Sequence, residues 1–128
     1  MRVPEELLYT DRHGWVSVER RAAIVGLTDY AQNALRDIVL VELPAVGRTV
    51  SKGEEVATIE SSKAVAGFFS PVSGTILDVN HAVEDDPGLI NADPYKLGWI
   101  CKLSVSDPTE LSELMGAAQY EQFCGKQR

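Results

Sequence analysis

The sequence lacks a long apolar run, since no stretch approaches the roughly 20 residues that a membrane-spanning helix needs. It also lacks clusters of lysine and arginine, and its formal net charge is -7, which argues against nucleic acid as a partner. The N-terminal residues have neither the apolar core of a signal peptide nor the arginine-rich, acid-poor composition of a transit peptide. We therefore expect a cytoplasmic protein with no membrane and no nucleic-acid partner.

Cysteine and histidine are scarce as well. Cys101 and Cys124 are too few for a disulfide framework in a chain of 128 residues, which fits a reducing compartment. Cys101 stands in an apolar run and is expected to be buried, whereas Cys124, near the C-terminus, is expected to be exposed. Neither has an activating context, and His13 and His81 lie outside any cluster with metal-ligand spacing. The sequence thus predicts neither a metal site nor a catalytic cysteine.

Short alternating apolar runs separated by turn residues dominate the chain, which has 45% hydrophobic and 24% charged residues. The length and composition predict one folded domain over residues 1–128. Its fold class is predicted to be mainly β, a sandwich or flattened barrel. The seven predicted strands are Trp15–Val18, Ala22–Leu27, Ile38–Leu43, Glu55–Glu60, Val65–Ser70, Gly74–Val79 and Trp99–Val105.

Two helices are predicted beside the sheets. A short one in the N-terminal half begins after Thr28, a suitable N-cap, and runs to about Leu35. A C-terminal helix is predicted over about 107–123, because Asp107 and Glu110 form a capping box. This second helix would pack against the sheet through one apolar face at helical spacing. That face consists of Leu111, Leu114, Met115 and Ala118.

One segment combines two strands with an isolated lysine. A hairpin over about 55–80 is predicted to bring small polar residues and Lys63 to its tip, where the amine would be held in solvent. An exposed lysine amine is cationic at neutral pH and is a poor nucleophile. If Lys63 serves as an anchor, a ligase must convert its amine to an amide, which removes the charge.

The tip has the pattern E-S-x-K-A at Glu60, Ser61, Lys63 and Ala64, followed by S-P-x-S-G between residues 70 and 74. Further matches are V-G-L-T-D-Y-A-Q at 25–32, V-E-L-P at 41–44, N-A-D-P-Y at 91–95 and G-W at 98–99. Together these residues resemble the lipoyl-lysine motif and flanking sequence of the glycine-cleavage H protein family. Biotin carriers differ, since methionine typically flanks their lysine on both sides.

The resemblance implies a flattened barrel-sandwich hybrid of two small packed sheets, with lipoic acid covalently attached to Lys63. It also implies that Glu60, Ser61, Ser62 and Ala64 form the surface recognised by the attaching enzyme, a lipoate ligase or octanoyl transferase. Such a protein is a carrier and not an enzyme, because tethering only raises the effective concentration of the arm at each partner. In glycine cleavage those partners are glycine decarboxylase, the tetrahydrofolate-dependent aminomethyltransferase and dihydrolipoyl dehydrogenase.

Two positions depart from the family pattern. The family usually has H-E-W near the N-terminus and S-D four residues after the lysine, and these acids are thought to hold a cationic arm. This chain has Gly14 and Gly67 at those positions. The loss favours a related carrier, the lipoate-binding protein of the sulfur-oxidising heterodisulfide-reductase-like complex. Two alternatives are an H protein that carries an aminomethyl group, with a nearby acid as substitute, and a lipoyl relay donor.

Overall fold

The computed structural model describes residues 1–126, which form two β-sheets around a shared core. The larger sheet has the strand order β1-β2-β3-β9-β8-β5, and the smaller has the order β4-β6-β7. The strands are β1 Leu8–Tyr9, β2 Gly14–Glu19, β3 Ala22–Leu27, β4 Ile38–Glu42, β5 Thr49–Val50, β6 Glu55–Ser61, β7 Val65–Phe69, β8 Gly74–Val79 and β9 Cys101–Ser104. The helices are α1 Asp29–Leu35, α2 Ala82–Asp85, α3 Leu89–Ala92 and α4 Ala117–Lys126. The predicted mainly β barrel-sandwich hybrid of two packed sheets is confirmed.

All seven predicted strands are present, two of them with the predicted bounds. The sequence analysis missed β1 and β5, because a strand of two residues is too short to show alternation. Alternation explains how the smaller sheet packs: Val41, Ile59 and Ala66 form one cross-strand row on the side of the core. Ile59 is fully buried, so this face closes the space between the sheets.

Helix α1 begins as predicted. The hydroxyl of Thr28 accepts a hydrogen bond from the backbone N–H of Ala31 at 3.2 Å, which satisfies a donor that the first turn of the helix leaves unpaired. The helix ends at Leu35, and the next residue, Arg36, has a φ of 69°. A positive φ cannot continue a right-handed helix, so α1 ends here and β4 begins at Ile38.

The predicted continuous helix over about 107–123 is divided in the structure. Its first part, Pro108–Glu113, is a 3₁₀ helix, and Leu114 is extended. Met115 and Tyr9 then exchange two backbone hydrogen bonds of 2.8 Å, as neighbouring strands do. This pairing takes the backbone groups of Met115 that a continuous helix would need, so α4 starts only after it.

The buried face of α4 also differs from the prediction. Ala118 is exposed, whereas Ala117, Tyr120 and Cys124 are buried at helical spacing. The expectation that Cys124 is exposed was therefore wrong, since the helix turns its thiol towards the sheet.

Cys101 is buried as expected, and its position in β9 raises the pKa of its thiol to about 12 through desolvation. Among residues 1–126, no helix has the length and apolar character needed to cross a membrane.

Candidate functional site

Lys63 lies at the tip of the hairpin formed by β6 and β7. Glu60 is paired with Val65 in the antiparallel ladder, and the three residues from Ser62 to Ala64 make the bend. The side chain of Lys63 is exposed, and its Nζ lies 3.4 Å from the carbonyl oxygen of Ala34 at the end of α1. An acylating enzyme can therefore reach the amine, as attachment of a lipoyl group requires.

Ser61 builds this turn. Its Oγ accepts hydrogen bonds from the backbone N–H groups of Lys63 at 3.2 Å and Ala64 at 3.0 Å, and it donates to the carbonyl of Ala64 at 3.1 Å. Its backbone N–H donates to the same carbonyl at 2.8 Å. A serine hydroxyl that bonds to nearby backbone stabilises a turn. Ser61 is thus engaged within the hairpin, although the sequence analysis assigned it to a surface for the attaching enzyme.

The tip also rests on the connection between α1 and β4. The backbone N–H of Ser62 donates to the carbonyl of Asp37 at 2.8 Å, and Ser61 is paired with Ile38 across the ladder. The contact of Lys63 with Ala34 reaches the same connection. We call residues 34–38 the platform, because the backbone of the lysine turn is hydrogen-bonded to it.

Asn91, in α3, holds the platform in place. Its side-chain carbonyl accepts from the backbone N–H of Ile38 at 2.9 Å, and its amide group donates to the carbonyl of Arg36 at 2.8 Å. The amide group also donates to the side chain of Gln32 at 2.9 Å. Asn91 belongs to the N-A-D-P-Y match, but its role was not predicted, since spacing alone gives no sign of a contact across 53 residues.

We expect Asn91→Ala to loosen the platform and the lysine turn. The variant loses three hydrogen bonds, and the backbone N–H of Ile38 loses its side-chain acceptor, which should lower the free energy of unfolding by about 1–3 kcal/mol. Amide hydrogen exchange should show faster exchange at Ser62. Asn33→Ala, at an exposed position of α1, is the matched control. Unchanged exchange at Ser62 in Asn91→Ala would contradict the role given to this side chain.

The second half of the motif, residues 70–74, lies at the opposite end of β7 from Lys63 and stabilises the fold. Ser70 is buried and donates to the carbonyl of Val72 at 2.6 Å. Ser73 donates to both carboxylate oxygens of Glu110 at 2.8 Å, through its backbone N–H and its hydroxyl. These bonds attach the C-terminal segment to the start of β8.

A carboxylate lies over Gly67. A Cβ atom built on Gly67 would be 2.7 Å from Cδ of Glu55 and would overlap its Oε1. The side chain of Glu55 therefore covers the strand where the family usually has an acid. At Gly14 the three atoms nearest to such a Cβ belong to Thr10, Phe68 and Gly26, and none of them is a carboxylate oxygen.

Tyr120 in α4 is hydrogen-bonded to His13, the neighbour of Gly14, and to Thr28, the N-cap of α1. Nδ1 of His13 lies 2.7 Å from the hydroxyl of Tyr120, which is itself 2.7 Å from Oγ1 of Thr28. Burial raises the pKa of Tyr120. His81 instead pairs with Glu84 at 2.7 Å on the surface. In the part of the chain described, no group of three or more metal-ligating side chains occurs.

Comparisons with known proteins agree with this architecture. The sequence model described as glycine cleavage H-protein matches residues 7–127. The chain is 47% identical over 121 residues to the glycine cleavage system H protein of Listeria innocua, covering 94% of this chain and 97% of the relative. It is 46% identical over 127 residues to the protein of that name from Anaeromyxobacter sp., covering 99% of each.

The fold is also similar to that of a solved structure. The crystal structure of a glycine cleavage system H protein from Mycobacterium marinum superposes with a TM-score of 0.90 at 37% sequence identity, covering 96% of this chain and 99% of that one. Proteins of this family carry lipoate covalently on a lysine and are carriers rather than enzymes. The match covers nearly the whole chain, and we conclude that the protein belongs to the glycine cleavage H-protein family.

Proposed function

We propose that this protein is the H protein of a glycine cleavage system, with its lipoyl group attached to Lys63. The arm would carry an aminomethyl group from glycine decarboxylase to the tetrahydrofolate-dependent aminomethyltransferase, and dihydrolipoyl dehydrogenase would reoxidise it. The work would take place in the cytoplasm. Relatives named for glycine cleavage that cover nearly the full chain favour this function, whereas sulfur oxidation receives no support from them.

Attachment requires that Lys63 act once as a nucleophile. Its free amine attacks the carbonyl carbon of an activated lipoyl or octanoyl group, the C–N bond forms, the leaving group departs and the amine loses a proton. The chain contributes position alone: Ser61 fixes the turn and the platform supports it. The resulting amide is neutral, and the bound lipoyl group supplies the reactive sulfur atoms.

The observation that supports an aminomethyl cargo is the position of the Glu55 carboxylate over Gly67. The preference for sulfur oxidation depended on the loss of acids at Gly14 and Gly67, and Glu55 returns one negative charge to the hairpin. An aminomethyl group is a cation at neutral pH, which a nearby carboxylate stabilises. A sulfur cargo has no positive charge for this carboxylate to stabilise.

The test is the exchange of labelled bicarbonate into glycine by glycine decarboxylase in the presence of the lipoylated protein. We expect rapid exchange with the wild type and none with Lys63→Arg. Lipoylated wild type that supports no exchange, but gains it through Gly14→Glu with Gly67→Asp, would overturn the proposal in favour of the sulfur carrier.

Glu55→Gln is expected to slow this exchange. The variant keeps the size of the side chain and removes its charge, and an exposed carboxylate of this kind contributes about 0.2–1 kcal/mol, so the rate should fall by up to about fivefold. The matched control is Glu19→Gln, which removes an exposed acid from the other sheet. Equal rates for Glu55→Gln and wild type, measured at low ionic strength, would show that Glu55 does not stabilise the cargo.

A further inference from the structure

The outer face of the smaller sheet carries apolar side chains that stay exposed in the folded protein. Leu40, Glu60 and Val65 are directly opposite one another on β4, β6 and β7, so their side chains leave the same face of the sheet. Leu40 is 41% exposed and Val65 is 66% exposed. Val39, which precedes Leu40 in β4, is 57% exposed. We call Val39, Leu40 and Val65 the tip patch.

A β-bulge creates part of this patch. The register of β4 against β6 shifts between Ile38 and Leu40, so Val39 is the extra residue. Bulges redirect side chains and are frequent beside functional sites. Here the bulge leaves two consecutive aliphatic side chains exposed close to the platform that supports Lys63.

Two of the polar residues at the tip, Ser61 and Ser62, make hydrogen bonds within the protein. The hydroxyl of Ser61 makes three hydrogen bonds inside the turn, and the backbone N–H of Ser62 is bonded to Asp37. An enzyme that distinguishes Lys63 from other exposed lysines needs further contacts. The tip patch is the exposed apolar surface nearest to that residue along the three strands.

We propose that the tip patch is the docking surface for the enzyme that acylates Lys63, and this inference rests on the proposed function of that lysine. The acylating enzyme must bring its active site to the root of the arm, whereas enzymes that act on the sulfur atoms work at the far end. A patch beside the root therefore suits the acylating enzyme. The contact surface of the acylating enzyme should be apolar with a basic rim, because the side chains of Glu42 and Glu60 lie on the same face of the sheet as the tip patch.

The test measures kcat/KM for the acylation of apo-protein by an ATP-dependent lipoate ligase with lipoate. We expect Leu40→Gln with Val65→Thr to lower kcat/KM about tenfold, mainly through KM, since loss of anchoring apolar contacts at an interface has this size. Leu40→Met with Val65→Ile keeps the patch apolar and should retain the wild-type value. The matched control is Leu77→Gln with Leu97→Thr, at leucines that are 46% and 62% exposed elsewhere.

A charge variant adds an independent measurement. Glu42→Lys should raise KM at low ionic strength, and the difference from wild type should shrink as salt is added, because salt screens charges at the rim of an interface. Thermal unfolding curves check that both proteins are folded. Equal kcat/KM for the polar tip-patch variant and wild type would then overturn the proposal that the tip patch is the docking surface. So would an equal loss in the Leu77 and Leu97 control. Wild type that is not acylated on Lys63 would instead overturn the proposed function, and the docking surface with it.

Discussion

Lys63→Arg is expected to leave the protein folded and to abolish the addition of a lipoyl group. The guanidinium of arginine stays protonated, so it offers no lone pair to an activated acyl group. The fold should tolerate the change, since the side chain is exposed and its one hydrogen bond, to Ala34, is 3.4 Å long. Intact mass after incubation with lipoate ligase, ATP and lipoate measures the result.

Lys52→Arg is the matched control for this experiment. Lys52 also lies in an exposed turn, between β5 and β6, but its amine pairs with Glu113 at 2.7 Å. We expect this variant to gain one lipoyl group, as the wild type does, and peptide mapping should locate the group on Lys63. A lipoyl group that persists in Lys63→Arg would show that another residue is the acceptor.

The elements that the sequence predicted correctly depend on local patterns. Thr28 directly precedes α1 and caps it, and the alternation of β6 and β7 gives both strands and the turn at Lys63. These features follow from side-chain period and turn chemistry within a few residues of each other. Local patterns predicted the hairpin and its exposed lysine, and the resemblance to the H-protein family identified Lys63 as the candidate site.

The features that the sequence did not predict depend on contacts between distant residues. Asn91 bonds to Ile38, 53 positions away, and Cys124 is buried because α4 turns it inward. Glu55 covers Gly67 through a bulge in the pairing of β6 with β7, so a count of acids in the motif misses it. No pattern in one sequence contains these distances, and the preference for a sulfur cargo depended on a count of acids that did not include Glu55.

Gly74→Ala is expected to destabilise the whole fold. Gly74 is buried at the start of β8, which is paired with β9 inside the larger sheet. A Cβ at this position would overlap the carbonyl oxygen of Ser104 and lie 2.8 Å from its carbonyl carbon. These are backbone atoms of a central strand, and they cannot move aside as the end of a flexible side chain can. The free energy of unfolding should fall by about 3 kcal/mol or more.

Gly125→Ala is the control, and its effect should have the opposite sign. Gly125 lies in α4, and no atom is within 4 Å of a Cβ built on it, so alanine adds helix propensity without a clash. Stability should rise by up to about 1 kcal/mol. Urea unfolding followed by circular dichroism measures both variants. If Gly74→Ala unfolded at the same urea concentration as the wild type, β8 and β9 could separate without cost, and the motif residues 70–74 would need a role other than strand packing.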